Sequence, residues 1–462
     1  MKRRYPSPLL RLRLLLLAAT VACGGPASAQ PLQRGDEWVA FGDSITQSGG
    51  YHQQAELFLF TRFPRHEITV TNAGVSGDTA ARALERIDWD VVPSQPSVVS
   101  VMFGMNDVGR DLYTLSPPTA TTLVDRGQRL DAWERSIRLI ITTLRGANCR
   151  VFLCTPSPYD QTAQLERAND PGVDDALAEC SRRVRQLATE LGVGVVDFHS
   201  PLNAINQRLQ ARNPAATIIG PDRVHPQELG HLIMAFHLLQ AMATAEPVSR
   251  VVIDAMSRQC RLSERGTVSD LDHSDDVLSF SHLAEALPFP LKDRACLDLE
   301  PLVAAMNQEV LQIVGLSGSY ALQIDHERAG TLTAEQLAEG VNLALFPETP
   351  QLRQARAVAD GLRKKAEVVA KLRTIAYCEN SVAKDEPHPV DPARMRARLA
   401  ARLATMKGAP YEQYVAGEYA RYSQFKAQEA ELRRQAAELA REARATALPV
   451  VRRYTLRKLP PS

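Results

Sequence analysis

The sequence predicts an α/β protein: a doubly wound, five-stranded parallel sheet, followed by a small β unit and a long helical C-terminal extension. Three observations carry this. Five short apolar runs alternate with helical stretches between Trp38 and Phe198, the pattern of a parallel sheet with helices on both faces. Each run is nearly continuously apolar, as expected of strands covered on both sides. Beyond Pro247 the alternation stops, and from Pro350 the chain carries apolar residues at helical spacing among alanines and charges.

The elements follow in order. Lys2, Arg3 and Arg4 precede a mostly apolar stretch from Leu9 to Val21, and Ala27-Ser28-Ala29 supplies small residues for cleavage. Residues 1–29 therefore read as an export signal, too short and interrupted for a stable membrane span. The mature protein is expected to be periplasmic or secreted. Lipid attachment at Cys23 is the lesser reading, because Thr20 stands where a large aliphatic residue is usual. Strands are expected at Trp38–Phe41, Ile68–Thr71, Val98–Phe103, Val151–Cys154 and Val193–Phe198, and helices near 51–63, 130–146 and 174–191. Pro226 opens a further helix, with Leu229, Leu232, Ile233, Phe236 and Leu239 on its apolar side. These make a first domain, 30–247.

Residues 248–348 form a second unit, with short antiparallel strands at Val310–Leu316, Tyr320–Asp325 and Gly330–Leu332, and an irregular excursion over 262–300. Residues 349–462 are expected to be helical to the end and to pack on the body. Thr349-Pro350 and Asp391-Pro392 start two helices, Gly408 ends the second, and a third runs from about Tyr411 to Ala445.

Composition bounds the function. A chain of 462 residues needs two or three packed units. With 54 basic and 53 acidic residues overall, and five of the basic ones in the first 13 positions, the body is slightly acidic. Nothing electrostatic points to nucleic acid as a partner. Six cysteines follow the leader: Cys149, Cys154, Cys180, Cys260, Cys296 and Cys378. Cys149 and Cys154 flank one strand and should not pair; a Cys260–Cys296 bridge stays open.

Four segments carry chemistry. Gly42-Asp43-Ser44, Asn72-Ala73-Gly74 and Gly104-Met105-Asn106-Asp107 each follow a strand, so they meet at the carboxyl edge of the sheet, where such folds bind ligands. Asp222-Arg223-Val224-His225 precedes the Pro226 helix. Ser44 is the candidate nucleophile. A hydroxyl needs a base, and His225 supplies one that is neutral near physiological pH, with Asp222 to hold its tautomer. Gly74 lets a backbone N–H approach a carbonyl oxygen closely, and the Asn106 amide and Ser44 N–H add donors.

Through these four segments, residues from about 36 to 245 resemble the SGNH/GDSL hydrolase family, whose blocks centre on Ser, Gly, Asn and His in this order. Ile45 departs from the leucine usual after the serine. The resemblance implies a flavodoxin-like sheet and carboxylic ester hydrolysis through an acyl-serine. It also implies an oxyanion hole of Ser44, Gly74 and Asn106, with no metal or organic cofactor. The substrate is then a small-molecule or polysaccharide ester, and exported relatives that deacetylate carbohydrates point to a carbohydrate O-acetyl ester. The alternatives are a lipase or phospholipase of the same family, or an inactive cell-envelope binding or scaffold protein. Oligomeric state is not legible.

Other residues have plainer readings. His225, His231 and His237 recur every six residues, which sets successive rings about 240° apart on a helix and not on one metal-binding face. Asp78 reads as a helix cap, His199 as packing, and Tyr51 and His52 as surface or mouth residues. The tyrosines at 411, 414, 419 and 422 read first as helix packing and second as a sugar-stacking surface.

Overall fold

The computed structural model describes residues 30–460, apart from 115–116, 245, 275, 293–295, 384–385 and 410. The export signal and Cys23 lie outside the described residues. The first sheet contains β1 (Glu37–Gly42), β2 (Thr69–Gly74), β3 (Val98–Met102), β4 (Arg150–Cys154) and β5 (Gly194–Val196), all parallel, in the order β2-β1-β3-β4-β5. β3 is buried at every position, which is why it reads as an unbroken apolar run. Helices α1 (Gly50–Arg62), α2 (Ala120–Gly146), α3 (Val173–Leu191), α4 (His199–Gln210) and α5 (Glu228–Met242) surround it. α1 packs on α5 through the edge-to-face pair Phe58–Phe236, and Phe289 closes that cluster. α2 begins ten residues before its expected start, because the exposed first turns carry no apolar face to announce them.

The strand order reverses between β1 and β3, and with the right-handed crossovers usual for parallel strands this sends helices to opposite faces on either side of that point. The crevice above the carboxyl ends of β1 and β3 is therefore the natural ligand site.

The second part of the chain corrects the expectation of an irregular stretch over 262–300. β6 (Ser249–Asp254) and β7 (Gln259–Glu264) lead into it, β8 (Gly266–Ser274) and β9 (Val277–Ala284) run through it, and β10 (Glu309–Val314), β11 (Ser319–Ile324), β12 (Glu327–Thr333) and β13 (Val341–Asn342) follow. β7 and β8 are edge strands with acidic and polar side chains facing water, a composition that protects an edge and conceals its pattern.

The long helix α6 (Pro350–Val382) lies along α1 and β2, and α7 (Pro392–Ala404), α8 (Glu412–Ala427) and α9 (Glu429–Ala447) complete the helical part. Asp391 caps α7 by accepting from the N–H groups of Ala393 and Arg394. Ala355, Val358 and Leu362 of α6, with Ala443 and Ala447 of α9, enter the same apolar core as the first sheet. The chain is not helical to its end, however. β14 (Arg452–Lys458) returns to lie between β9 and β11, with only Tyr454 and Leu456 turned inward among basic residues. Two apolar positions were too few for the pattern to stand out. No disulfide joins the six described cysteines, so the open Cys260–Cys296 pairing is not made. None of the described helices is long and apolar enough to cross a membrane.

Candidate active site

The end of β1 runs into a single helical turn, Ser44–Gln47, whose cap is Asp43. The Asp43 carboxylate accepts from Ile45 N–H at 3.0 Å. Ser44 thus heads a helix N-terminus at the sheet edge, and its Oγ lies 2.8 Å from His225 Nε2. His225 Nδ1 lies 2.5 Å from Asp222 Oδ2, while Asp222 Oδ1 accepts from the backbone N–H groups of Val224 and His225, each at 3.1 Å. Burial pushes the Asp222 carboxyl up, but the hydrogen bonds from the His225 ring and these two amides outweigh it and hold the carboxyl well below the usual range. Arg223, between them, is buried and donates to the carbonyls of Asp160, Ala163 and Arg167, which fixes the loop in place.

Asn106 follows β3. Its Nδ2 donates one hydrogen to the Asp78 carbonyl at 2.9 Å, which aims the other into the cleft. Asp78 is not a helix cap: Thr79 has that role, and the buried Asp78 carboxylate pairs with Arg86 at 2.8 Å. Arg86 also donates to the carbonyls of Gly42 and Ala73 and pairs with Asp90, tying the ends of β1 and β2 together. Below this layer two carboxyls are strained electrostatically. Burial pushes Asp43 up to about 6 and Asp107 up to about 7.

Gly74 is not brought to the cleft. Its N–H donates to Asn72 Oδ1 at 2.8 Å, and its carbonyl accepts from Arg373 of α6. A Cβ there would stand 2.1 Å from Gln47 N, so the glycine lets the end of β2 pack against the Ser44 turn. Gly77 lines the cleft beside Ser44, Asn106 and His225 instead. It has φ +72°, and a Cβ there would meet open space. Among the described residues, neither Gly77 N–H nor Ser44 N–H has an acceptor within the chain. The sequence held a signal for Gly77: a strand-terminal glycine spends its amide on the sheet or its neighbours, whereas one three residues further on is free to donate.

The cleft encloses about 890 Å³. One wall is the sheet edge, and the other comes from α6, α7 and α8, including Thr374, Tyr411 and Tyr414. Tyr411 and Tyr414 are 62% and 43% exposed, so these two are not simple packing residues, whereas Tyr422 is buried and donates to Glu379. Tyr51 and His52 are buried beneath the Ser44 turn, on the Thr46 hydroxyl and carbonyl respectively. His199 is held by Asp174 at 3.1 Å, away from the cleft.

Comparisons with known proteins bear on the family and the fold. Residues 40–233 match the GDSL-like lipase/acylhydrolase family. An acetylxylan esterase of Geobacillus stearothermophilus is 30% identical over 216 residues, 44% of this chain and 91% of that protein. A solved structure of a gut microbial diltiazem-metabolizing enzyme superposes with a TM-score of 0.84 at 28% identity, covering 94% of this chain and all of the other. An uncharacterized lipoprotein of Bacillus subtilis, YqeF, is 32% identical over 100 residues, 20% of this chain and 38% of its own length. Fold and similarity together define a carboxylic ester hydrolase on a doubly wound α/β scaffold. Within that class, the chain belongs to the GDSL-like lipase/acylhydrolase family.

Proposed function

We propose that the protein is an exported serine esterase that removes acyl groups, foremost acetyl, from carbohydrates. The observation that carries the reading is the continuous relay Ser44 Oγ–His225–Asp222, at 2.8 and 2.5 Å, opening on a cleft large enough for a sugar. Ser44 Oγ attacks the ester carbonyl while its proton passes to His225 Nε2, and Asp222 holds Nδ1–H and balances the imidazolium. The oxyanion accepts from Ser44 N–H, Gly77 N–H and Asn106 Nδ2–H, with Gly77 taking the place expected of Gly74. Each such donor is worth about 3 kcal/mol when preorganised. Collapse of the intermediate breaks the C–O bond to the alcohol, which leaves with the proton from His225. Water then adds to the acyl-Ser44, again giving its proton to His225, and Ser44 leaves reprotonated as the carboxylic acid departs.

Acetylxylan esterase similarity supports carbohydrate acetate as substrate, and the leader at residues 1–29 with the lipoprotein similarity supports export. A lipase of the same family would instead prefer long acyl chains. The test is acetate release from acetylated xylo-oligosaccharides and p-nitrophenyl acetate by wild type, Ser44→Ala and His225→Ala, alongside p-nitrophenyl esters of longer chains. Both variants should lose activity by at least ~10³-fold, and rates should fall with acyl length. Equal turnover by Ser44→Ala excludes the mechanism, and preference for long chains excludes the substrate.

A further inference from the structure

The cleft that holds Ser44 and His225 is electrostatically unlike the rest of the chain. Its lining includes five cationic side chains, Arg82, Arg110, Lys371, Arg402 and Arg421, against a single carboxylate, Glu418. The whole sequence is balanced at 54 basic and 53 acidic residues, so this excess is local. Arg421 is paired with Glu418, and Arg82 lies 3.7 Å from Asp78. Arg110, Lys371 and Arg402 have no carboxylate within 4.0 Å among the described residues. By contrast, the buried Arg86 and Arg373 are each paired with carboxylates.

The unpaired cations also span both walls. Arg110 follows the Asn106 loop at the sheet edge and is near enough to the Asp43 carboxylate beneath Ser44 to favour its charged form. Lys371 and Arg402 come from α6 and α7 on the opposite wall. Tyr411 and Tyr414 stand exposed on that same wall. Open tyrosine rings offer an apolar face to the C–H side of a sugar, and guanidinium groups recognise carboxylates in two-point fashion.

We infer that the ester substrate is anionic: an O-acylated glycan bearing carboxylate groups, as uronic acid residues do, gripped between Arg110 and the helical wall. The inference rests on the esterase reading and adds the charge of the alcohol part. The helical extension is then the substrate-selecting wall of the hydrolase, and Arg110, Lys371 and Arg402 determine specificity without touching the reacting atoms. Attraction by several cations in a cleft raises both encounter rate and affinity, and salt screens it.

The experiment uses the full chain and two neutral–anionic partners that differ in nothing else: a mono-O-acetylated galacturonic acid trisaccharide, and the same trisaccharide with its carboxyl groups converted to primary amides. Acetate release is measured for each. Wild type should favour the carboxylate form by at least tenfold in kcat/KM, mostly through KM. That ratio should shrink by severalfold between 20 mM and 500 mM salt. Arg402→Gln and Arg110→Gln should each cut the ratio at least threefold, and Arg402→Lys should restore part of it. A ratio near one in an enzyme active on both forms overturns the anionic substrate and leaves the esterase reading standing. A ratio indifferent to salt and to both glutamine variants also overturns it, without needing either variant to be fully stable. Inactivity toward both trisaccharides and toward p-nitrophenyl acetate overturns the two readings together.

Discussion

Replacing Arg373 by methionine probes how the helical part is joined to the active-site scaffold. Arg373 sits on α6 and is almost fully buried. It makes a two-point ion pair with Asp90, at 2.7 and 2.8 Å, and donates through Nε to the Gly74 carbonyl at 3.0 Å. Asp90 is shared with Arg86 at 2.6 Å, and Arg86 in turn holds Asp78, whose carbonyl orients Asn106. Removing one partner of a buried pair costs about 3–5 kcal/mol. Arg86 remains on Asp90, so the lower end, about 3 kcal/mol, applies, and at ~2 °C per kcal/mol the melting temperature should fall by ~6 °C. Burial alone would raise the Asp90 carboxyl, but Arg373 and Arg86 hold it down at about 2. Its folded value is thus below the ordinary 3.8, and its contribution is present above about pH 4 and lost as pH falls toward 2. Calorimetry and urea unfolding of wild type, Arg373→Met, Asp90→Asn and the double variant measure the coupling, which should exceed ~1 kcal/mol. Esterase turnover should also fall in Arg373→Met, because the Gly74 and Asp78 segments lose their fixed anchor. A stability loss below ~1 kcal/mol with zero coupling would refute the strut.

Three further outcomes follow from the same geometry. Asp222→Asn should reduce kcat by ~10⁴ with little change in KM, since an amide favours the wrong His225 tautomer; steady-state kinetics on p-nitrophenyl acetate decide it, and a loss below tenfold contradicts the assignment. Gly74→Ala should destabilise or abolish folding, because its Cβ meets the Gln47 backbone at 2.1 Å, whereas Gly77→Ala should cost only ~1–2 kcal/mol from its left-handed φ; circular dichroism melts of both compare them, and equal costs would contradict the different places given to the two glycines. His282 is buried beside Tyr454, and burial pushes its ring down to about 4. The unfolded chain then binds the proton first, so stability due to this ring is present above about pH 6.5 and is lost as pH falls toward 4. His282→Phe should flatten the decline in melting temperature between those values, and an unchanged slope would count against it.

How far the sequence revealed this molecule depended on which residues were free to advertise their place. The parallel strands are buried on both faces, so Val98–Met102 could carry nothing but apolar and small side chains, and the sheet was legible. The relay of Ser44, Asp222 and His225 was legible because each stands beside an element end that the pattern already marked. Gly74 and Gly77 both follow the body of β2, and what separates them is that the strand-terminal Gly74 amide is spent on Asn72 while the Gly77 amide is free among the described residues. The strands β7, β8 and β14 were hidden by polarity: an edge needs charges, and a strand with two inward positions shows little alternation. The wall built from α6 to α8 was beyond reach, since it depends on contacts between residues some three hundred positions apart, such as Arg373 with Gly74.

The central claim is that Ser44 is the nucleophile of an ester hydrolase whose relay runs through His225 to Asp222. Its most direct test is labelling with a serine-reactive fluorophosphonate, followed by peptide mass spectrometry and parallel assay of acetate ester turnover. One adduct is expected, on the peptide carrying Ser44, with activity lost in step with labelling and neither label nor turnover in Ser44→Ala. An adduct on another residue, or undiminished turnover by Ser44→Ala, would contradict it.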